Sequence, residues 1–165
     1  MKKVYLDMTQ AKQCIGVYVK DTEVIPAGTT IASMSVKHKN AEYKHYADEY
    51  DIHFIFDDEV PKMDIYTIPM VEVFAVDSGG GYIGSLGQAT DLQADIPICY
   101  IDNGRNCYLI ADSGKEFLEN FQKWKAHKKP YADIKIFESL DVAKEMYEFL
   151  DREAIEQELE NVEPI

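Results

Sequence analysis

The stretch with the most explicit chemical spacing is GGGYIG at positions 79–84. It satisfies the G-x-G-x-x-G pattern with which dinucleotide-binding proteins place a pyrophosphate at a helix N-terminus. That chemistry needs a helix directly after the glycines. The residues that follow are β-rich at first, and residues 85–94 carry no amphipathic stripe. The pattern therefore favours a glycine turn between two antiparallel strands over a nucleotide site.

Three histidines, His38, His45 and His53, suggest a second kind of chemistry, metal ligation. Their acidic neighbours are Asp48, Asp51, Asp57 and Asp58. Zinc sites usually take two ligands from positions a few residues apart on one element. These histidines are seven and eight residues apart. We therefore favour an accidental cluster in an acid-rich chain, and we predict neither a metal nor a cofactor.

Nucleophilic catalysis has no clear candidate in the sequence. No serine lies in a G-x-S-x-G motif, and Ser113 is explained by a helix cap. Cys99 and Cys107 fall on apolar strands, where a free cysteine usually packs as a small core residue. Carboxylate pairs arise by chance in a chain with 30 Asp and Glu. We therefore predict that the protein is not an enzyme.

The elements that position these residues are clearest between residues 97 and 124. Two apolar runs, at 98–101 and 107–110, flank Asn103 and Gly104, a pair that suits a turn with positive φ. Ser113 and Glu116 have the spacing of a capping box. The apolar stripe of the helix that follows consists of Phe117, Leu118, Phe121 and Trp124. This segment predicts an antiparallel hairpin followed by an amphipathic helix.

The rest of the chain predicts a mixture of helix and sheet. Residues 1–60 are β-rich, with strands at 15–20 and 29–36 and a short helix between Asn40 and Tyr50, while alternation at 71–76 predicts a further strand. A helix is expected from Ser139 onward. Its apolar face would be Leu140, Ala143, Tyr147, Leu150 and Ala154.

We interpret residues 1–165 as one domain, with a core at 63–125 and a C-terminal helical extension at 131–165. The extension is acidic, with ten acids from Glu138 to the end against two cations. The whole chain has 17 Lys and Arg against 30 Asp and Glu, a formal charge of −13. That balance argues against nucleic acid and anionic membranes as partners. It suits a basic partner, or solubility alone.

Location is predicted from what the chain lacks. No stretch approaches the roughly 20 apolar residues that cross a bilayer. The first residues, MKKVYLD, meet an acid before any long apolar run and do not predict a secretory signal. Three cysteines are an odd and sparse set, which favours reduced thiols and the cytoplasm.

Four motifs between Pro69 and Phe121 resemble the SMI1/KNR4 family, also called the SUKH superfamily. The strand PMVEVFA at 69–75 leads to an acidic glycine turn, DSGGGY, at 77–82. The strand IPICYID at 96–102 has the family's order of proline, apolar residues, tyrosine and acid. The segment SGKEFL at 113–118 is similar to its closing helix. Together these motifs cover about a third of the chain.

The resemblance implies an α+β fold with an antiparallel sheet packed by helices. It also implies a protein-binding role without shared catalytic residues. Many bacterial members are immunity proteins that neutralise a toxin, and many such toxins are basic nucleases. We therefore expect a cytoplasmic immunity-type protein in which acids steer a basic toxin domain and exposed tyrosines anchor it. The candidate partner-binding residues are Tyr82, Tyr100, Tyr108, Glu153, Glu156 and Glu160. Any single tyrosine is favoured as a structural residue, and we make no prediction of oligomeric state.

Two alternatives stay open at this point. A small-ligand-binding protein or enzyme would use a pocket beside Gly79 and Gly84, where polar groups would have to converge. A general protein-interaction domain unrelated to toxins would share the acidic surface. The gene neighbourhood separates that domain from an immunity protein, because immunity genes tend to sit next to toxin genes.

Overall fold

Short strands, three α-helices and two 3-10 helices make up the regular structure of the computed structural model, which describes residues 2–9, 21–86 and 96–150. In chain order the strands are β1 (Lys2–Asp7), β2 (Thr22–Ala27), β3 (Thr29–Ile31), β4 (His53–Phe54), β5 (Tyr66–Ile68), β6 (Val71–Val76), β7 (Tyr82–Leu86), β8 (Ile98–Ile101), β9 (Cys107–Ala111), β10 (Lys129–Pro130) and β11 (Lys135–Phe137). The helices are α1 (Ala41–Tyr50), α2 (Gly114–Asn120) and α3 (Leu140–Met146). The predicted α+β class is confirmed.

The largest sheet in the described residues has seven strands in the order β10-β9-β8-β7-β6-β3, with β4 also paired to β6. The strands from β6 to β9 follow one another in antiparallel pairs, whereas β3 runs parallel to β6. Two smaller sheets pair β1 with β2 and β5 with β11. The predicted hairpin and the predicted strand at 71–76 are therefore β8–β9 and β6.

Both faces of the central strands are buried, each in its own apolar cluster. The cluster that joins the sheet to α1 and α2 contains Ile52, Phe74, Ala75, Ile83, Ile98, Tyr100, Ile110, Ala111, Phe117 and Trp124. The second cluster contains Ile55, Ile65, Val71, Val73, Tyr82, Cys99, Ile101, Cys107 and Ile134. Neighbours along a strand alternate between the clusters because side chains of a pleated strand point to opposite faces. Burial of one large apolar side chain such as Phe117 stabilises the fold by about 1.5–3 kcal/mol.

Local side-chain caps begin the first two helices. Asn40 Oδ1 accepts from the backbone N–H groups of Glu42 (2.9 Å) and Tyr43 (3.3 Å), so α1 starts where the sequence predicts a short helix. Ser113 Oγ accepts from Glu116 N at 3.1 Å, which confirms the predicted cap of α2. The Glu116 carboxylate accepts from Asp112 N rather than from the cap residue itself. Each such cap stabilises its helix by about 1 kcal/mol.

The hairpin turn differs from its prediction in one residue. Positive φ occurs at Arg105 (66°), not within the Asn103 and Gly104 pair. The reason is a longer loop in which Asp102 Oδ1 accepts from Asn106 N (2.8 Å) and Arg105 N donates to the Asp102 carbonyl (3.0 Å). Loops of this length place the left-handed residue after the turn proper.

Three predicted elements are shorter than expected. The helix predicted to carry an apolar stripe as far as Trp124 ends as an α-helix at Asn120 and continues as a kinked 3-10 helix, Phe121–Ala126. The strand predicted at 29–36 ends at Ile31, after which Val36–His38 forms a 3-10 turn. The helix predicted from Ser139 is α3, but it ends at Met146 because the next residues pack as extended chain. Phe149 forms a β-bridge with Tyr5, and Leu150 N donates to the Tyr5 carbonyl (2.9 Å).

Three predictions lie outside the described residues. They are the strand at 15–20, the continuation of the last helix to Ala154, and the three acids Glu153, Glu156 and Glu160. None of the described helices is long and apolar enough to pass through a membrane.

Candidate functional site

The glycine turn between β6 and β7 is organised by Asp77. Its Oδ1 accepts from the backbone N–H groups of Gly79 (3.1 Å) and Gly81 (2.6 Å), and its Oδ2 accepts from the hydroxyl of Tyr100. A Cβ atom on Gly81 would lie 2.6 Å from the Tyr100 ring, so the turn needs glycine there. The turn joins two antiparallel strands and leads into β7, which confirms the interpretation favoured over a nucleotide site.

Asp51 is the centre of a second polar cluster at the same end of the sheet. It ends α1 in the left-handed conformation (φ 58°) and accepts hydrogen bonds from Lys125 Nζ (2.9 Å) and from Ser78 N (3.0 Å) and Oγ (2.9 Å). His53 Nε2 lies 2.9 Å from Asp51 Oδ1, the oxygen that also accepts from Ser78 N. Burial alone would raise the pKa of Asp51, but the hydrogen bonds from Lys125, Ser78 and His53 outweigh it and lower the pKa to about 2.

This cluster contains a serine, a histidine and an aspartate, yet it is not arranged as a nucleophilic triad. A triad needs the histidine between the serine and the carboxylate, so that the imidazole takes the serine proton. Here Ser78 and His53 both bind Asp51. The serine hydroxyl donates to the carboxylate, and the cluster connects the end of α1 to the glycine turn.

The other two histidines of the possible metal cluster, His38 and His45, lie in different elements and have different neighbours. His38 belongs to the 3-10 turn before α1, and the His45 ring stacks edge-on against Tyr50 at 5.6 Å. Within residues 2–9, 21–86 and 96–150, no three His, Cys, Asp or Glu side chains are grouped closely enough to hold a metal ion.

Cys99 and Cys107 lie in the second apolar cluster, which confirms their interpretation as small core residues. They lie diagonally on the adjacent strands β8 and β9, because the register pairs Cys99 with Leu109 and Cys107 with Ile101. A hydrogen bond donated by the Cys99 thiol raises the pKa of Cys99, which burial raises further, and the same bond lowers the pKa of Cys107. Cys14 lies outside the described residues.

The tyrosines proposed as anchors differ in their exposure. Tyr82 and Tyr100 are only 8% and 7% exposed, and their hydroxyls donate to Asp64 (2.7 Å) and Asp77 respectively. The expectation of exposed rings is therefore wrong for these two, because they fill the two core clusters from the central strands. Burial, followed by these hydrogen bonds, raises the pKa of both hydroxyls.

Tyr108 is half-buried and remains at the surface. Its ring lies 6.4 Å from that of Tyr100, and Lys128 Nζ is 5.5 Å from its centroid. The register pairs Tyr108 directly with Tyr100 across β8 and β9. The structure therefore brings together two of the candidate tyrosines, the buried Tyr100 and the surface residue Tyr108. Tyr82 lies on the neighbouring strand β7 and packs in the second apolar cluster.

An aromatic groove that the sequence does not reveal lies between α1 and the residues around β4. Its volume is about 420 Å³, and its lining includes the aromatic residues Tyr43, Phe54 and Phe56. The Tyr43 ring meets Phe54 at 5.3 Å and Phe56 at 5.5 Å, both edge to face. Phe54 in turn stacks on the core residue Phe74 at 6.0 Å. The core therefore supports the floor of this aromatic groove.

Charged side chains form the rim of the aromatic groove. Lys39 and Lys44 lie among its lining residues with Asp58 and Glu59. Lys39 Nζ is 3.2 Å from Asp58 Oδ2 and 5.4 Å from the centroid of the Phe56 ring. The groove therefore already holds one cation between a carboxylate and an aromatic face, which is a favourable environment for an ammonium or guanidinium group.

The sequence contains each part of this groove without a motif that joins them. Tyr43 is one of several tyrosines, Phe54 and Phe56 belong to an apolar run, and Asp58 belongs to an acidic one. They meet because the inner side of α1 packs Tyr46 and Tyr50 against Phe121, at 4.9 and 5.2 Å, which turns Tyr43 toward β4.

A smaller groove of about 350 Å³ lies beside the glycine turn, where the small-ligand alternative predicts a pocket. His53, Glu59, Asp77 and Ser78 are among its lining residues. Three of these already take part in the two polar clusters around Asp51 and Asp77. The groove joins the aromatic groove through shared residues, of which Phe54 is one.

Comparison of the chain with models of protein families, with curated proteins and with solved structures gives no significant match.

Proposed function

We propose that this chain is a non-enzymatic, protein-binding domain of the immunity type, which binds and neutralises a basic toxin domain in the cytoplasm. The observation that carries the proposal is the aromatic groove with its charged rim. The four motifs that resemble the SMI1/KNR4 family and the formal charge of −13 point to the same class of partner.

The groove has the composition of a protein-binding site. Interface cores are enriched in aromatic residues, and buried anchor side chains in pockets supply most of the binding energy. Tyr43 and Phe54 are partly exposed in the groove, whereas Phe56, only 7% exposed, closes its floor. Rings that are held by one another and by Phe74 lose little freedom when a partner binds.

The charge beside the groove favours a basic partner. Asp57, Asp58 and Glu59 are consecutive and exposed, and α1 adds Glu42, Asp48 and Glu49. Such acids attract a basic surface over several ångströms and raise the association rate at low salt. Lys39 and Lys44 oppose them on the rim, so this surface is acidic overall without being uniformly so.

The test is affinity capture from lysate of the source cell at low and high salt, with mass spectrometry of the bound proteins. A variant carrying Asp57→Asn, Asp58→Asn and Glu59→Gln removes the acids beside the groove. The matched control carries Asp133→Asn, Glu138→Gln and Asp141→Asn, three exposed acids elsewhere on the chain. We expect a basic partner whose association with the groove variant at low salt slows by about tenfold, with little change for the control.

Co-expression then tests neutralisation. A captured partner should inhibit growth when expressed alone, and this protein should relieve the inhibition more fully than the groove variant does. A partner that binds both variants equally would contradict the role of the groove. A partner that is harmless to the cell would contradict the immunity role and favour a general interaction domain.

The small-ligand alternative places the site in the groove beside the glycine turn. It predicts that a small molecule protects Asp77 and Ser78 and raises the unfolding temperature, while no protein partner is captured at either salt concentration. A thermal-shift screen of metabolites on the unmodified chain measures this directly.

A further inference from the structure

The position of Lys39 in the aromatic groove suggests what kind of side chain the groove receives. Its ammonium group lies between the Asp58 carboxylate and the face of Phe56. A carboxylate beside an aromatic ring stabilises a cation by charge and by the ring quadrupole together. Lys39 itself belongs to no helix or strand, since it follows the 3-10 turn Val36–His38.

Lys39 binds Asp58 and Phe56 weakly enough for another cation to take its place. The side chains of Lys39 and Asp58 are 50% and 43% exposed. Exposed ion pairs contribute little to stability, and exposed cation–ring contacts only slightly more. An arginine from a partner would gain more at this position, because its planar fork binds a carboxylate at two points and its plane stacks on a ring.

The groove also has room and a second carboxylate for such a side chain. About 420 Å³ of space stays empty with Lys39 in place, and Glu59 lines the groove next to Asp58. Among the described residues, the ion pairs include Lys39 with Asp58 but none that involves Glu59. Glu59 is therefore available to an incoming cation.

We propose that the aromatic groove is a receptor for an arginine side chain of the protein partner, and that Lys39 is an internal competitor that this arginine displaces. The inference rests on the proposed function only for the identity of the partner. The chemistry of the pocket belongs to the groove itself, which combines two acids at the rim with the rings of Tyr43, Phe54 and Phe56.

The experiment measures binding of short blocked peptides to the full chain by NMR chemical-shift titration. The probe is a glycine tripeptide with a central arginine. The comparison peptides carry lysine or citrulline, which keeps the shape of arginine but not its charge. Lys39→Met removes the competing cation and keeps an apolar stem of similar length. Lys44→Met is the matched control, because Lys44 lines the same groove but makes neither a described ion pair nor a described ring contact.

We expect the arginine peptide to bind Lys39→Met about fivefold more tightly than the unmodified chain, and Lys44→Met to change affinity by less than about twofold. Asp58→Asn should weaken binding. The chemical-shift changes that the arginine peptide causes should map to Tyr43 and Phe54. Equal gains for the two lysine variants would overturn the competitor role, since only bulk charge would then matter. Equal binding of the citrulline peptide would overturn the arginine site.

The outcome separates this inference from the proposed function. If the acidic groove variant loses the captured partner while the peptides give no shifts, the partner uses the groove without an arginine and the inference is refuted. If the peptides bind as expected but no protein is captured, the arginine site stands and the toxin-binding role is refuted.

Discussion

Replacement of Asp51 by asparagine tests whether the polar cluster at the end of α1 stabilises the fold by charge. Asp51 is a useful position because asparagine also tolerates the left-handed conformation found there (φ 58°), so the backbone is not strained by the change. The substitution removes the charge that faces Lys125 and His53. It also leaves Ser78 one acceptor of two, because the Ser78 N–H and hydroxyl donate to different oxygens of Asp51. The variant therefore keeps the shape of the residue, and the pH dependence of its effect separates the charge from the lost acceptor.

The size of the effect follows from the pKa of Asp51. Hydrogen bonds in the folded state lower it from 3.8 to about 2, against a burial that alone would raise it. One pKa unit equals about 1.4 kcal/mol, so the ionised carboxylate stabilises the folded state by about 2 kcal/mol. The side chain is 20% exposed, which leaves most of this effect unscreened. Lys125 is 56% exposed, so the ion pair with Lys125 supplies less than about 1 kcal/mol of it.

The sign of the pH dependence is set by the lowered pKa. The stabilisation is fully present above pH 3.8 and is lost as the pH falls through 2. Urea unfolding at several pH values measures it, with Trp124 fluorescence as the probe. This is the single tryptophan of the chain, and its Nε1 donates to the carbonyl of Tyr50 at 2.7 Å. Far-UV circular dichroism checks that the two transitions coincide.

Asp48→Asn is the matched control, because Asp48 is an exposed acid on the same helix. We expect Asp51→Asn to lower the free energy of unfolding by about 2 kcal/mol at pH 7, and the control to change it by less than about 0.5 kcal/mol. The difference between Asp51→Asn and the unmodified chain should shrink as the pH falls from 4 to 2. A pH-independent difference, or one no larger than that of the control, would refute the charge argument.

Two further changes test the packing of the glycine turn and of a central tyrosine. Gly81→Ala should lower the free energy of unfolding by about 1–3 kcal/mol, since its Cβ would meet the Tyr100 ring at 2.6 Å, whereas Gly79→Ala, which meets only the Asp77 carboxylate at 3.6 Å, should be nearly neutral. Equal effects of the two changes in urea unfolding would contradict this packing. Tyr82→Phe should cost about 1 kcal/mol and raise the lowered pKa of Asp64, whose largest cause is the Tyr82 hydrogen bond. An unchanged Asp64 titration by carboxyl-carbon NMR would show that the hydroxyl is not the cause.

The sequence predicted the elements whose signals lie within a few residues of one another. The hairpin β8–β9 follows from two apolar runs around a turn, and α2 follows from the cap at Ser113 and an apolar stripe. The glycine turn was separated from a nucleotide site by the strand character of the residues after it. Such signals are local, so no partner from elsewhere in the chain is needed to interpret them.

The candidate site could not be predicted in the same way, because burial depends on what covers each face. Tyr82 and Tyr100 look like possible anchors in sequence, but helices and small sheets cover both faces of β7 and β8. The aromatic groove needs Lys39, Tyr43, Phe56 and Asp58 in one place, and their spacing matches no motif. The end of α3 at Met146 likewise depends on Tyr5, which is more than 100 residues away in the chain.

By itself, the amino-acid sequence determined the fold class, the hairpin, the cap of α2 and the acidic character of the chain. Apolar periodicity, turn residues and net charge are properties of the unfolded chain that folding does not alter. Only the tertiary structure decided which tyrosines are buried, how Asp51 acquires its donors, and that Lys39 lies over Phe56 between α1 and β4. Those features arise from contacts between residues distant in sequence, where packing and desolvation act on whole elements together.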